Sequence, residues 1–217
     1  MTDLKTTIEH TNLKPDCTNV EVVKLCEEAI EHGFYGVCVS PYFVQLAKKT
    51  IKKNPVKIIT VVGFPLGYST VAAKVEEAKK AIISGADEVD MVMNIAAFKS
   101  DDFATVLNDI QAVTTACHLQ NKIVKVIIET AYLSNEEIEK ACRLCMDCEV
   151  DFVKTSTGFA PTGATVEAVE LMRKTLPPKI KIKAAGGIRD AEFAEKLINA
   201  GATRIGASAS IKIIGAE

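Results

Sequence analysis

Ile83-Ser84-Gly85-Ala86-Asp87-Glu88-Val89 is a joint between two kinds of structure. A helical pattern stops on Gly85, a residue that readily takes the left-handed conformation at a helix end, and an apolar strand starts within three residues. The same joint occurs as Glu31-His32-Gly33-Phe34-Tyr35-Gly36-Val37 and as Asn199-Ala200-Gly201-Ala202-Thr203-Arg204-Ile205. A joint that recurs from one end of the chain to the other implies a single helix-to-strand unit used repeatedly.

Outward from these joints the pattern alternates regularly. Leu4 to Ile8 reads as a short extra helix and Glu9-His10-Thr11 as a brief first strand. Asp16-Cys17-Thr18-Asn19 then offers capping oxygens to a helix over Val20 to His32. Strand Gly36 to Ser40, helix Tyr42 to Ile51, strand Lys57 to Gly63, helix Val71 to Ser84 and strand Glu88 to Met93 follow. Helix Asp101 to Cys117, strand Ile123 to Glu129, helix Asn135 to Cys148 and strand Phe152 to Ser156 continue the series. Helix Thr165 to Thr175, strand Lys179 to Ala184, helix Ala191 to Ala200 and strand Arg204 to Ala207 complete it. Alternation of this kind builds a parallel sheet, and eight strands close into a (β/α)8 barrel of the TIM type, whose functional groups sit on the loops after the strands. A flavodoxin-like open sheet needs fewer units. The expected organisation is one α/β domain over residues 1–217, with near-minimal helices and loops.

Composition excludes several classes. The chain has 217 residues, 48 % of them hydrophobic, enough for one large core. A net charge of -2 gives no basic face for nucleic acid and no polybasic membrane patch. The amino end lacks the apolar core of a signal peptide and no run approaches a membrane span, so a cytoplasmic protein is expected. Seven scattered cysteines suit reduced thiols. Cys142, Cys145 and Cys148 repeat at three-residue spacing like part of an iron-sulfur ligand set, but a fourth thiol is missing and the segment reads as a helix, so packing is expected and no metal.

In a parallel barrel the strands are covered on both faces, so charges within them are the informative exceptions. Asp90, Lys125, Lys154 and Lys183 fall on four successive strands at intervals of about one unit. Any one of the lysines could snorkel to water from the barrel end. If all four side chains point inward, three amines and a carboxylate converge near the upper mouth. A lysine is neutral only about once in 2,500 at pH 7, so a nucleophilic amine needs burial or a neighbouring cation to lower its pKa by roughly 3 units. Lys154, in Asp151-Phe152-Val153-Lys154-Thr155-Ser156-Thr157-Gly158-Phe159, is the candidate nucleophile, Lys183 the neighbouring cation and Asp90 the proton carrier. On this reading Lys183→Leu costs rate and leaves the fold nearly intact.

Two glycine-rich loops, Ala184-Ala185-Gly186-Gly187-Ile188 and Gly206-Ala207-Ser208-Ala209-Ser210, follow the seventh and eighth strands. That is where such barrels hold a phosphate on backbone N–H groups. His10 ends the first strand, either lining the site or serving as a hydrogen-bonded structural residue; His32 and His118 read as helix-end residues. The three share no metal-ligand spacing.

In order along the chain, His10-Thr11-Asn12-Leu13-Lys14-Pro15, Val61-Val62-Gly63-Phe64-Pro65-Leu66-Gly67, Glu88-Val89-Asp90-Met91-Val92, Lys125-Val126-Ile127-Ile128-Glu129-Thr130, Lys154-Thr155-Ser156-Thr157-Gly158-Phe159 and Lys183-Ala184-Ala185-Gly186-Gly187-Ile188 closely resemble the motifs of the deoxyribose-phosphate aldolase family. The resemblance implies a cofactor-free class I aldolase that reversibly cleaves 2-deoxy-D-ribose 5-phosphate into acetaldehyde and D-glyceraldehyde 3-phosphate in deoxyribose phosphate catabolism. It implies Lys154 as the Schiff-base residue, Lys183 as the lysine that perturbs it, and Asp90 as the acid/base partner acting through a bound water. Gly158, Gly186, Gly187, Ser208, Lys125 and Cys38 are the expected substrate and phosphate contacts. Phe159 stands where some members have a lysine and Ala209 where some have a second serine, which shifts phosphate binding toward backbone N–H groups. The expected partner is a small sugar phosphate and the expected assembly a homo-oligomer, dimer or tetramer. The competing readings are a barrel isomerase or epimerase, which needs no imine, and a non-catalytic sugar-phosphate sensor.

Overall fold

The computed structural model describes residues 3–216. Eight parallel strands, β1 (Ile8–Asn12), β2 (Gly36–Val39), β3 (Lys57–Val62), β4 (Glu88–Val92), β5 (Ile123–Ile127), β6 (Phe152–Lys154), β7 (Lys181–Ala185) and β8 (Arg204–Ala207), pair in sequence order. β8 returns to β1 through the register Glu9 to Gly206 and His10 to Ala207, which closes the barrel. The outer ring comprises α1 (Asn19–His32), α2 (Val44–Ile51), α3 (Val71–Ser84), α4 (Ile95–Lys99), α5 (Phe103–His118), α6 (Asn135–Asp147), α7 (Val166–Thr175), α8 (Ala191–Asn199) and α9 (Ser210–Ile213). No described helix is long and apolar enough to cross a membrane.

The joints behave as their sequences predict. Gly33 and Gly85 end α1 and α3 with positive φ, and their amides return to Ala29 and to Ala81 and Ile82. At the other end of α1, Thr18 and Glu21 form a reciprocal capping box, and Ser134 and Glu137 do the same for α6.

The structure differs from the sequence expectation in four places. Leu4–Thr7 is a single 3-10 turn capped by Asp3, too short for an α-helix. Asn94 leaves the β4 strand to cap α4, accepting from the Ala97 amide, so a short helix forms where a loop is expected. β6 ends at Lys154, although Thr155 still donates to the Lys183 carbonyl and accepts from the Thr130 amide. Ser210 begins the short α9 after β8.

Outward-facing Val89, Val124, Val126, Val153 and Ile205 pack with Ile110, Val113, Ile138 and Leu197 of the helices. Burying each such side chain contributes about 1.5–3 kcal/mol. Inside the barrel the two halves differ. Cys38, Ile59 and Val61 form a small apolar cluster on the β2–β3 side, while the wall from β4 round to β1 carries charge.

Candidate active site

The strand alternation brings Asp90, Lys125, Lys154 and Lys183 together inside the barrel, all buried. Asp90 is the hub. Its Oδ1 accepts from Lys125 Nζ at 2.9 Å, and its Oδ2 accepts from both Lys154 Nζ at 2.9 Å and Lys183 Nζ at 2.7 Å. Two ammoniums on one carboxylate oxygen are necessarily close to each other. Gly206 makes room for this: a Cβ there would meet Lys183 Cε at 3.0 Å.

Three further charges, not singled out in the sequence reading, complete the cluster. Glu9 on β1 accepts from Lys183 and from Arg204 Nη1 at 3.1 Å, and lies 3.4 Å from Lys125. Glu88 pairs with Lys125 and lies 3.5 Å from Arg204, whose guanidinium stacks on the Tyr35 ring. Tyr35 donates to Glu88 and closes the lower end. Glu88 and Asp90 share a strand face at two-residue spacing, so alternation could have found Glu88; the first strand is too short to phase Glu9 by pattern.

Burial opposes the charges of Asp90, Lys125 and Lys183, and mutual attraction overrides it. The surrounding ammoniums of Lys125, Lys154 and Lys183 hold Asp90 well below the usual carboxylate range despite its burial. Lys183 is raised: burial works against its charge, but Asp90 and Glu9 outweigh it. Lys125 is raised in the same way by Asp90, Glu9 and Glu88. Burial pushes the Cys38 thiol up to about 11.

Above the cluster lies a cavity of about 540 Å³. Lys154, Lys183, Gly158, Gly186, Gly187 and Ser208 all line it, so the predicted amines and both glycine loops share one space. Its size suits a small metabolite. Asp90, Lys125 and Cys38 do not line it and sit beneath the lysines as supports. Phe159 is half exposed on the rim and meets Phe64 edge to face at 5.3 Å between centroids. Gly186, at φ +85, is pressed against Gly163, where a Cβ would come within 2.1 Å of the Gly186 carbonyl oxygen. The loops after β6 and β7 therefore touch backbone to backbone, a constraint on Gly163 that spacing alone did not reveal.

Glu129, expected at the end of the fifth strand, stands beyond β5 at φ +46 and accepts from both the amide and the hydroxyl of Thr157. It fixes the loop that carries Gly158. Among the described residues, the one trio of potential metal-ligand atoms that converges is Glu9, Cys38 and Asp90. Both carboxylates are engaged by lysines, and a cation inserted among those ammoniums would meet repulsion. Cys142, Cys145 and Cys148 are buried in the helix-barrel core.

A (β/α)8 barrel with amines at the floor of a cavity rimmed by two glycine loops defines a lysine-centred barrel enzyme. Residues 2–216 match the family model described as "DeoC/LacD family aldolase", and the chain belongs to that family. It is 53 % identical to the deoxyribose-phosphate aldolase of Thermococcus gammatolerans, covering 98 % of this chain and 95 % of that one. Among solved structures it resembles QR15, an aldolase, with a TM-score of 0.94 and 42 % identity over 99 % of this chain and 96 % of that one. It also resembles a deoxyribose phosphate aldolase from Aeropyrum pernix, described as having a unique tetrameric structure, with a TM-score of 0.91 and 29 % identity over 98 % of this chain and 89 % of that one.

Proposed function

We propose that this chain is a class I deoxyribose-phosphate aldolase, a lyase that uses Lys154 to cleave 2-deoxy-D-ribose 5-phosphate into acetaldehyde and D-glyceraldehyde 3-phosphate. The observation that carries this reading is the sharing of Asp90 Oδ2 by Lys154 and Lys183 at the floor of the cavity. Family membership and the 53 % identity to a deoxyribose-phosphate aldolase support the substrate.

The charge pattern suits an amine nucleophile. Glu9, Glu88 and Asp90 face Lys125, Lys154, Lys183 and Arg204, so the cluster has one cation more than it has carboxylates. Deprotonating Lys154 leaves three of each. Lys154 is also the lysine with a single carboxylate partner and a place on the cavity wall, whereas Lys125 meets three carboxylates and Lys183 two.

The neutral amine adds to the C1 aldehyde of the open-chain sugar, and the carbinolamine hydroxyl takes up a proton and leaves as water, giving a protonated imine. Removal of the C3 hydroxyl proton, with Asp90 acting through a water, sends the C2–C3 bonding electrons to the imine nitrogen. Glyceraldehyde 3-phosphate leaves, and the enamine takes a proton at C2. Hydrolysis then releases acetaldehyde and restores Lys154. Lys183 holds positive charge beside the reacting nitrogen throughout. Backbone N–H groups around Gly158, Gly186, Gly187 and Ser208 receive the phosphate, with Lys125 and Cys38 supporting from below.

Borohydride reduction in the presence of substrate, followed by peptide mapping, tests the reading: a stable adduct on Lys154 is expected. Turnover without an adduct is the outcome of an isomerase or epimerase and sinks the imine mechanism; binding without release of acetaldehyde is the outcome of a sensor. We place the protein in the cytoplasm as a homo-oligomer acting in sugar-phosphate catabolism. Its seven unpaired cysteines suit a reducing compartment, and mass measurement in solution decides between dimer and tetramer.

A further inference from the structure

His10 belongs to none of the chemistry above, yet it is buried against the cavity and engages two partners from distant parts of the chain. Its Nε2 lies 2.8 Å from Glu28 Oε2 on α1, and its Nδ1 lies 2.9 Å from the Oγ of Ser210, the first residue of α9. Ser210 Oγ is in turn 3.0 Å from the Ala207 carbonyl, closing the turn Ala207-Ser208-Ala209-Ser210. Ser210 is fully buried, so its hydroxyl is not presented to a substrate as a nucleophile. Ser208, inside that turn, lines the cavity.

The protons fix how this chain of contacts works. A carboxylate and a carbonyl only accept, so Glu28 takes a proton from Nε2 and Ala207 supplies none. Burial disfavours the charged imidazole and lowers the His10 pKa, with Glu28 opposing. With the ring neutral and Nε2 protonated, Nδ1 is an acceptor. The one Ser210 hydroxyl proton then has two acceptors in reach, Nδ1 at 2.9 Å and the Ala207 carbonyl at 3.0 Å, and is shared between them, which confines the hydroxyl to that arc. Phe34 meets the ring edge to face at 5.4 Å between centroids and limits its tilt. The β1–β8 register, which sets His10 opposite Ala207, fixes the height of the contact.

We propose that His10, braced by Glu28, is a positioning residue for the phosphate end of the site, acting through Ser210 to set the turn that carries Ser208. This rests on the aldolase reading for the identity of the substrate but not for the existence of an anion cradle. It predicts an effect selective for phosphorylated ligands, because Lys154 and Asp90 stand on other strands.

The test compares Ser210→Ala, His10→Ala and His10→Asn in the full chain. Inorganic phosphate is the probe for binding by calorimetry, and 2-deoxyribose 5-phosphate and 2-deoxyribose are the paired substrates. Loss of one buried hydrogen bond at the turn raises the phosphate Kd and the KM for the phosphorylated sugar by about threefold to tenfold in Ser210→Ala. The preference for the phosphorylated sugar, as a ratio of kcat/KM values, falls by a similar factor. His10→Asn, which can still accept from Ser210 through its amide oxygen, recovers part of what His10→Ala loses. Equal losses on the two sugars, or an unmoved phosphate Kd in Ser210→Ala, overturn the proposal. Should His10→Ala not fold, the conservative Ser210→Ala decides alone. A wild-type protein that binds phosphate but releases no acetaldehyde refutes the aldolase reading and leaves the phosphate Kd to judge the relay. A wild-type protein that binds no phosphate overturns the relay outright.

Discussion

Among the described residues, buried lysine–carboxylate pairs lie in two places, and the two respond to burial in opposite ways. Between α3 and α5, outside the barrel, Lys74 Nζ donates to Asp109 Oδ2 at 2.6 Å and to the Val92 carbonyl at 2.8 Å. There burial wins over the single ion pair: it pushes Lys74 down and Asp109 up, each toward its neutral form. Inside the barrel attraction wins, and Asp90 is held down while Lys125 and Lys183 are raised. The difference is the number of partners. Lys74 faces one salt-bridged carboxylate, whereas Lys125 faces three. An isolated buried pair barely recovers its desolvation cost, and a network recovers more because each carboxylate serves several cations. Buried charge therefore does not by itself mark a site. The barrel cluster is distinguished by an opening, since Lys154 stands between it and the cavity.

Removing the amine at that opening should produce the largest effect. Lys154→Met is expected to lower kcat on the order of 10⁴-fold or more and to abolish the borohydride adduct. Asp90 keeps two ammonium partners in that variant, so the melting temperature should change little. Retention of a tenth of wild-type activity would remove Lys154 from the nucleophile's role.

Lys183→Leu is expected to cost on the order of 10² to 10⁴ in rate, measured by acetaldehyde release under saturating substrate. From sequence alone the fold should be nearly indifferent to this change. Glu9 alters that expectation: without Lys183 it loses its nearest cation and relies on Arg204 and Lys125. Breaking a buried pair on one side costs about 3–5 kcal/mol, so urea unfolding should show a loss approaching that range. Near-normal turnover would show that another group assists Lys154.

The pair outside the barrel should respond in stability and hardly in chemistry. Lys74→Met is expected to cost about 3–5 kcal/mol by leaving Asp109 unpaired, while Lys74→Met with Asp109→Leu restores most of the loss. The acid responses of the two carboxylates differ in sign. Asp90, depressed in the folded protein, contributes stability above the ordinary value of 3.8 that disappears as pH falls through its folded pKa. Asp109, raised in the folded protein, contributes most below 3.8 and loses that contribution as pH rises through its folded pKa. Urea titrations of Asp90→Asn and Asp109→Asn against wild type from pH 7 to 3 should show opposite trends; parallel trends would end the distinction between network and pair.

Periodicity was enough for the barrel, because helical and strand patterns alternate along the chain and three of the helix-to-strand joints repeat the same chemistry around Gly33, Gly85 and Gly201. It was also enough for Asp90, Lys125, Lys154 and Lys183, which break four successive apolar strands with charge. Glu9 and Arg204 stayed hidden for a different reason. Each stands near the start of a short strand, where a charged residue ordinarily reaches solvent, and only closure of β8 onto β1 turns them inward. Ser210 and Glu28 lie far from His10 in the chain, so the relay exists only through tertiary packing.

The smallest effect belongs to the cysteine helix. Cys142 and Cys145 face the core from α6 and Cys148 from the residue that ends it, and burial pushes the Cys142 thiol up to about 12, which keeps it protonated and a poor metal ligand. Cys142→Ser buries a hydroxyl in place of a thiol, at about 1–3 kcal/mol, less if the hydroxyl bonds the carbonyl one turn back. Lyase activity should stay within twofold of wild type, roughly 0.4 kcal/mol in the barrier, because α6 contributes nothing to the cavity wall. Stoichiometric iron or zinc in the purified protein that disappears in Cys142→Ser would turn this helix from packing into a metal site. It would also show that an apolar cluster, like a charged one, cannot be assigned from burial until its partners are known.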